Sequence, residues 1–406
     1  MNKTFGSICM IAGTAIGAGM IALPMTLAKL GVLGSLALMI ATWLVVYYSA
    51  LIGCELTVRV KNSLSLSEIA KQLSGSGAAS VALGCVMILS YALIAAYLYG
   101  GSSITLSICT ALWDSAPDQE RLIQLYAVVI TIILVLGITW VDYLNRLMFF
   151  ALIGLLLVTI IGLGVTADLS TIPMLTDQTA KVSTWSVAIP VIFTSFGFQM
   201  MIPTMSGYLA RNQKAMKRAF YWGSLIPVVI YLAWTLSTLG TITTHNMSLF
   251  KQILTEDVDV GAFVNMLSQS ASWRHLQLFV WGVSFFAIIT SAFGVALGLI
   301  DLWYGLLCSF KVKERFLKIL TAILTIVPAY IIAILTPGAF IKALGFAGMI
   351  LVIIAIVLPI YLLFKSDARA DYTAFNITQH KGLRVLVLGL ALGLIGCEIG
   401  NLFNFF

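Results

Sequence analysis

Residues 11–24 read IAGTAIGAGMIALP, with Gly13, Gly17 and Gly19 inside two turns and Pro24 just beyond. Relative to Ala, Gly weakens a helix by about 1 kcal/mol and Pro by about 3 kcal/mol. The stretch therefore reads as an apolar helix broken near its middle. Residues 189–203, IPVIFTSFGFQMMIP, repeat the theme with Pro190, Gly197 and Pro203. Glycines also serve for close packing between membrane helices, so each stretch taken alone admits both readings.

The rest of the chain decides the solvent around these stretches. Of 406 residues, 60% are hydrophobic and only 10% charged, whereas soluble domains carry roughly 25% charged residues. So few charges cannot cover a water-soluble fold of this size, which makes lipid the solvent. In hydrocarbon only helices and closed barrels pair all their backbone groups. Barrel strands alternate apolar and polar residues, but residues 151–164, ALIGLLLVTIIGLG, and 350–363, ILVIIAIVLPIYLL, are unbroken apolar runs. The expected fold is an all-α integral membrane protein. A window of about 20 apolar residues places eleven spans at 6–29, 33–57, 79–109, 122–140, 146–166, 185–209, 219–243, 276–307, 317–336, 340–364 and 384–404. The first span reads as a retained helix and not a cleaved signal peptide, since similar spans follow it without a soluble domain. Cys9, Cys54, Cys85, Cys109, Cys308 and Cys397 are scattered through apolar stretches without CxxC spacing, which argues against a metal site or a disulfide framework.

The two broken helices are then the first and the sixth, five spans apart. Because five is odd, two five-helix units that each begin with a broken helix have opposite topologies. That is the inverted-repeat plan of many secondary transporters. The chain reads as one transmembrane domain, 1–406, with a first repeat at 6–166, a second at 185–364 and an extra helix at 384–404. Half-helix N-termini suit a carboxylate, and freed carbonyls suit a cation.

With the N-terminus inside, seventeen of the 23 basic residues fall in cytoplasmic loops, among them Arg59, Lys61, Arg211, Lys214, Lys311 and Arg369. Lys29, Arg121, Lys181, Lys251, Arg274 and Lys342 fall outside, as does Asp114. This bias predicts a cytoplasmic N-terminus and an external C-terminus. It also accounts for the net charge of +7 without nucleic acid as a partner. The longest loop, 245–275, is too short for an independent globular unit.

In residues 191–198 (VIFTSFGF), 12–20 (AGTAIGAGM) and 294–301 (GVALGLID), the chain resembles the hydroxy/aromatic amino acid permease family. It is most similar to the family's tyrosine-specific members. The resemblance covers essentially the whole length, including VDYLNR at 141–146 and ALGFAG at 343–348. It implies a leucine-transporter-like fold of ten core helices plus an eleventh, located in a bacterial inner membrane. It also implies symport of a small molecule, an aromatic amino acid, driven by H⁺ in the family's usual form. No other cofactor is expected, membrane lipid is the surroundings, and the oligomeric state stays open. By the same resemblance, Thr14, Ala15, Ile16, Gly17, Ala18 and Gly19 would hold the substrate's carboxylate or amino group. Phe193, Thr194, Ser195, Phe196 and Gly197 would complete the clamp, with Gln199 just after it. The faces of Phe193, Phe196 and Phe198 offer stacking surfaces, though packed core aromatics look the same. Tyr91 and Tyr97 could reach the pocket or lie at the lipid interface.

A site like the fold's second sodium site can be read as well. Ala287, Thr290 and Ser291 have A-x-x-T-S spacing, which brings one carbonyl and two hydroxyls together within a helical turn. The Gly13 and Ile16 carbonyls would supply the remaining ligands. The alternative is that these hydroxyls bond back to their own helix. Three positions depart from the resemblance. Leu152 stands where proton-coupled relatives often carry Lys, Phe285 where some carry an acid, and Gln199 where a His is common. His245, His275 and His380 fall in loops, so none can shuttle protons at mid-membrane. The residues thus suggest Na⁺ where the resemblance suggests H⁺. Glu55, Asp142 and Asp301 sit near span ends as solvated or paired acids, and Glu398 lies deeper, in the helix outside the ten-helix core.

A channel would show rings of polar or carbonyl groups. A membrane enzyme would need converging acids, histidines or metal ligands. Neither pattern is present in the sequence. A bulky side chain at Gly17 or Gly197 is expected to block the backbone approach. For topology, a reporter active only outside the cytoplasm, fused after Phe406, should give signal. A cytoplasmic readout would remove one helix or the orientation.

Overall fold

The computed structural model describes residues 2–60, 65–113, 117–136, 138–270, 274–308, 313–367, 374–403 and 405. Lys61, Asp114, Lys311, Arg369 and Phe406, and the side chains of Asp142 and Arg274, lie outside the described residues. Among the described residues all regular structure is helical. The chain begins with α1 (Lys3–Ala15), α2 (Gly19–Leu27), α3 (Gly31–Arg59), α4 (Leu66–Ser74), α5 (Ser76–Leu112), α6 (Gln119–Leu136) and α7 (Ile138–Thr166). It continues with α8 (Val182–Ser195), α9 (Ile202–Tyr208), α10 (Gln213–His245), α11 (Met247–Thr255) and α12 (Val260–Gln269). It closes with α13 (Arg274–Leu307), α14 (Glu314–Leu335), α15 (Phe340–Val352), α16 (Leu358–Asp367) and α17 (Lys381–Leu402).

Ten helical stretches among the described residues are long and apolar enough to cross a membrane, where the sequence reading counts eleven. The difference lies at the start. The stretch Gly19–Arg59 is not one rod, because Ser35 Oγ donates to Leu27 O at 3.1 Å. Eight residues of continuous helix would span about 12 Å. The chain turns back at Gly31, whose φ of +70° suits glycine. There Val32 and Leu33 N–H donate to Pro173 O and Met174 O at 3.1 and 3.0 Å. α1 and α2 together make the first crossing and α3 the second, which restores eleven.

Helix lengths otherwise follow the apolar pattern, and polar caps start several of them: Asn2, Ser65, Asn212, Asn246 and Asp259 each accept an N–H of the first turn. α5 has 37 residues, about 56 Å of helix, and so outruns a hydrocarbon layer of about 30 Å. α6 is described to Leu136 and α7 from Ile138, and residue 137 between them lies outside the described residues.

The interrupted helices hold the centre. α1 lies along α10, α2 lies against α8, and α15 packs between α5 and α8. Met20, Ile21, Ala22, Val191, Ile192 and Phe196 are fully buried, while α7 exposes Leu147, Phe150, Ile161 and Val165. Large exposed apolar surface of this kind fits lipid as the surroundings. Between α10 and α13, α12 turns Phe263 and Leu267 inward. Its cap Asp259 accepts hydrogen bonds from Tyr99 at 2.9 Å and from Ser103.

Where α3 and α16 finish and α17 begins, charges are buried in pairs. Arg59 meets Glu55 at 2.9 Å and Asp367 at 2.8 Å, and Arg384 closes on Asp367. Glu55 also accepts the N–H groups of Ala374 and Phe375, at 3.0 and 2.9 Å. It is therefore a paired acid, as read, and Asp301 is exposed. Glu398 lies deep in α17, as read: it is 3% exposed, α17 packs on α8 and α15, and the Glu398 carboxylate lies against Gly345 of α15. The extra helix is part of the packed body.

Candidate functional site

The first break spans three residues. α1 ends at Ala15, Ile16 is extended (φ −71°, ψ 104°), and α2 begins at Gly19. Ile16 N–H still reaches Ala12 O at 3.0 Å, and Met20 and Ile21 N–H fold onto Gly17 O and Ala18 O at 3.1 Å each. Ala18 N–H leaves its own chain and donates to Ser291 Oγ of α13 at 3.0 Å. Gly17 N–H has no partner among the described residues. The last carbonyls of a helix have no intrahelical donor, which frees Gly13 O and Ile16 O here.

The second break follows the same logic. α8 ends at Ser195, Phe196 and Gly197 leave helical geometry (ψ 21° and 27°), and a 3₁₀ turn at Phe198–Met201 leads into α9. Pro190 lacks an N–H, and Pro203 stands in the first turn of α9, where none is needed. Thr194 Oγ1 lies 2.9 Å from Pro190 O and 2.7 Å from Leu344 O on α15.

The two breaks face each other. A Cβ on Gly19 would stand 2.9 Å from Ser195 Cα, and one on Gly17 would overlap Ser291 Oγ. Behind them stands Tyr231 of α10, fully buried, whose hydroxyl lies 2.6 Å from both Ala15 O and Ser195 O. The rings of Phe196 and Tyr231 meet edge to face at 5.4 Å. No local signal marks Tyr231, because its partners lie 216 and 36 residues away in sequence.

Most of the expected residues gather here. Ala15, Ile16, Gly17, Ala18, Gly19, Phe193, Thr194, Ser195, Phe196 and Gly197 form the two facing breaks. Thr14 reaches across to the second: its hydroxyl lies 2.8 Å from Met10 O and 2.6 Å from Met201 Sδ, in the 3₁₀ turn that follows Gly197. Tyr91 is drawn elsewhere, bonded to Leu324 O at 2.7 Å and to Trp303 Nε1 at 2.9 Å. Trp303 stands twelve residues beyond Ser291 on α13, about 18 Å along the helix. Tyr97 is buried in the interior, 7% exposed. Phe198 packs in the core beside Phe220, with ring centroids 6.2 Å apart.

Gln199 is 6% exposed, and among the described residues neither amide atom has a partner. It borders a cavity of about 30 Å³ together with Ser49, Gly53 and the π-turn residues Ile354 and Ala355. Ser49 Oγ is also unpartnered.

Of the expected cation ligands, Ala287 O and Ser291 Oγ do reach the first break, on the Gly17 side. Thr290 Oγ1 donates to its own helix, at 2.8 Å from Phe286 O, and Gly13 sits against Phe149 of α7. Leu152 is fully buried, and Phe285 packs on Phe286 at 5.6 Å. The site is therefore neutral. Its charge complementarity comes from freed N–H and C=O dipoles, which can take the carboxylate and the ammonium of a zwitterion.

Facing backbone breaks in a helical bundle that exposes its apolar surface fit a multi-pass membrane transporter. The chain belongs to the tryptophan/tyrosine permease family, which it matches over residues 1–398. It is 34% identical to the Tyrosine-specific transport system 1 of Haemophilus influenzae, over 97% of this chain and 96% of that protein. The Tyrosine-specific transport system 2 of the same organism is 31% identical, over 97% and 95%. The Tryptophan-specific transport protein of Pseudomonas aeruginosa is 30% identical, over 94% and 91%. These relatives are transport proteins and not enzymes.

Two outcomes follow from this geometry. Gly19→Ala places a methyl against the Ser195 backbone and should lower uptake at least about tenfold with normal membrane insertion. Gly197→Ala meets only Thr194 O among the described residues, at 3.2 Å, and should keep most activity. Equal uptake by the two variants would refute this ranking. Gln199→Leu removes a buried unpaired amide and should raise the melting temperature by about 2 °C while slowing uptake. A fall in melting temperature would show that the amide is satisfied.

Proposed function

We propose that this protein imports an aromatic amino acid, foremost tyrosine, by ion-coupled symport with alternating access. The observation that carries the reading is the pair of facing breaks, Gly19 against Ser195, in a chain of the tryptophan/tyrosine permease family. The freed dipoles of the two breaks receive the amino and carboxylate groups, and Phe193 offers a face to the ring. The two five-helix units, 6–166 and 185–364, supply one broken helix each, with 384–404 as an added helix. The protein sits in a bacterial inner membrane with its N-terminus in the cytoplasm. Similarity to the Tryptophan-specific transport protein supports a second reading, a tryptophan or broad aromatic permease.

The coupling ion is Na⁺ or H⁺. The oxygens of Ala287 and Ser291 beside the first break support Na⁺, since among the described residues no Asp, Glu, His or Lys side chain is bonded to the breaks. Family resemblance supports H⁺. Purified protein in liposomes should accumulate labelled tyrosine under one imposed gradient and not without it. A sodium gradient alone and a pH gradient alone, in sodium-free buffer, separate the two ions. Excess phenylalanine should compete less well than unlabelled tyrosine, and tryptophan least. Saturable uptake that ignores both gradients would exclude a coupled carrier, and stronger competition by tryptophan would favour the second reading.

A further inference from the structure

We propose that Tyr231 is a positioning residue for transport, whose single hydroxyl holds the carbonyl ends of both broken helices in register. The inference rests on the reading that the two breaks form the binding site. Ala15 and Ser195 are the last helical residues before each break, so their carbonyls are among those a helix end leaves unpaired. The Tyr231 hydroxyl stands 2.6 Å from each. It carries one proton and can donate fully to only one carbonyl at a time. The other keeps its lone pairs available.

The ring cannot swing away, because Tyr231 is fully buried and Phe196 abuts it edge to face. α10 also packs along α1 and α2, so the phenol is anchored on a helix beside the first break while it reaches the second. Any shift of α1 relative to α8 must therefore lengthen one of the two contacts. On the same face of α10, the buried hydroxyls of Thr235 and Thr238 have no partner, four and seven residues on and within about 40° of Tyr231. Polar groups thus gather on this face beyond the pin, without another donor at the carbonyls.

Tyr231→Phe keeps the ring and removes only the hydroxyl. In liposomes, the tyrosine concentration for half-maximal exchange should rise about tenfold, with the maximal rate within twofold of wild type. Tyr221→Phe on the same helix, whose ring packs on Trp43 and Tyr47, should leave both values unchanged. An unchanged half-saturation in Tyr231→Phe would overturn the proposal. So would a loss of maximal rate and thermal stability without a change in half-saturation, which would make the contact structural only. If the variant does not reach the membrane, amide hydrogen exchange on wild-type protein answers the question. Segments 15–18 and 195–197 should then be protected by added tyrosine by the same factor, and independent protection would overturn the proposal. Failure of the wild-type protein to exchange tyrosine would instead count against the transport reading itself.

Discussion

In hydrocarbon an unpaired backbone N–H or C=O costs several kcal/mol, and this structure is organised around the two places where the chain breaks that rule. Everywhere else helix geometry closes the backbone on itself. At residues 16–18 and 196–197 it does not, and other elements must answer. Ser291 takes the Ala18 N–H, Thr194 reaches Leu344 O, and Tyr231 stands between Ala15 O and Ser195 O. The contacts of α10, α13 and α15 with the centre are thus of one kind. Each brings a hydroxyl or a close-packed surface to backbone that a helix has released.

Small residues make those approaches feasible. Gly17, Gly19 and Gly348 each stand where a Cβ would collide with Ser291, Ser195 or the Pro190 carbonyl. Association of helices in lipid depends on such packing, since lipid tails are as apolar as leucine. Glycine therefore acts twice in this chain: it loosens the helix and it admits the neighbour. The two readings that the sequence left open for these glycines are both realised.

Charge is kept away from this centre. The cluster of buried Arg59, Glu55 and Arg384 with the partly exposed Asp367 lies at one end of the bundle, each acid facing a cation. Breaking such a pair leaves an uncompensated buried charge, so the cluster suits a joint that stays closed. The breaks bear dipoles only. A neutral site can receive a zwitterion and later release it without leaving a bare charge in low dielectric. Glu398 stands apart from both, buried against Gly345 and bonded to Asn401 at 3.3 Å.

The sequence by itself determined the solvent, the crossings and the positions of both breaks, because each depends on composition or on Gly and Pro within a few residues. It also marked Ser291 and Ala287, whose helical spacing is local. It could not place the hydroxyls of Thr14 and Tyr91, which go to Met201 in the turn of the second break and to Leu324 with Trp303. It passed over Tyr231. Only the tertiary structure decided these, since a side chain's partner is chosen by packing between helices that may be 216 residues apart. An apolar helix in lipid carries little pattern to say which face meets which neighbour. Hydropathy tells a residue that it is inside the membrane, and only the fold tells it what it touches there.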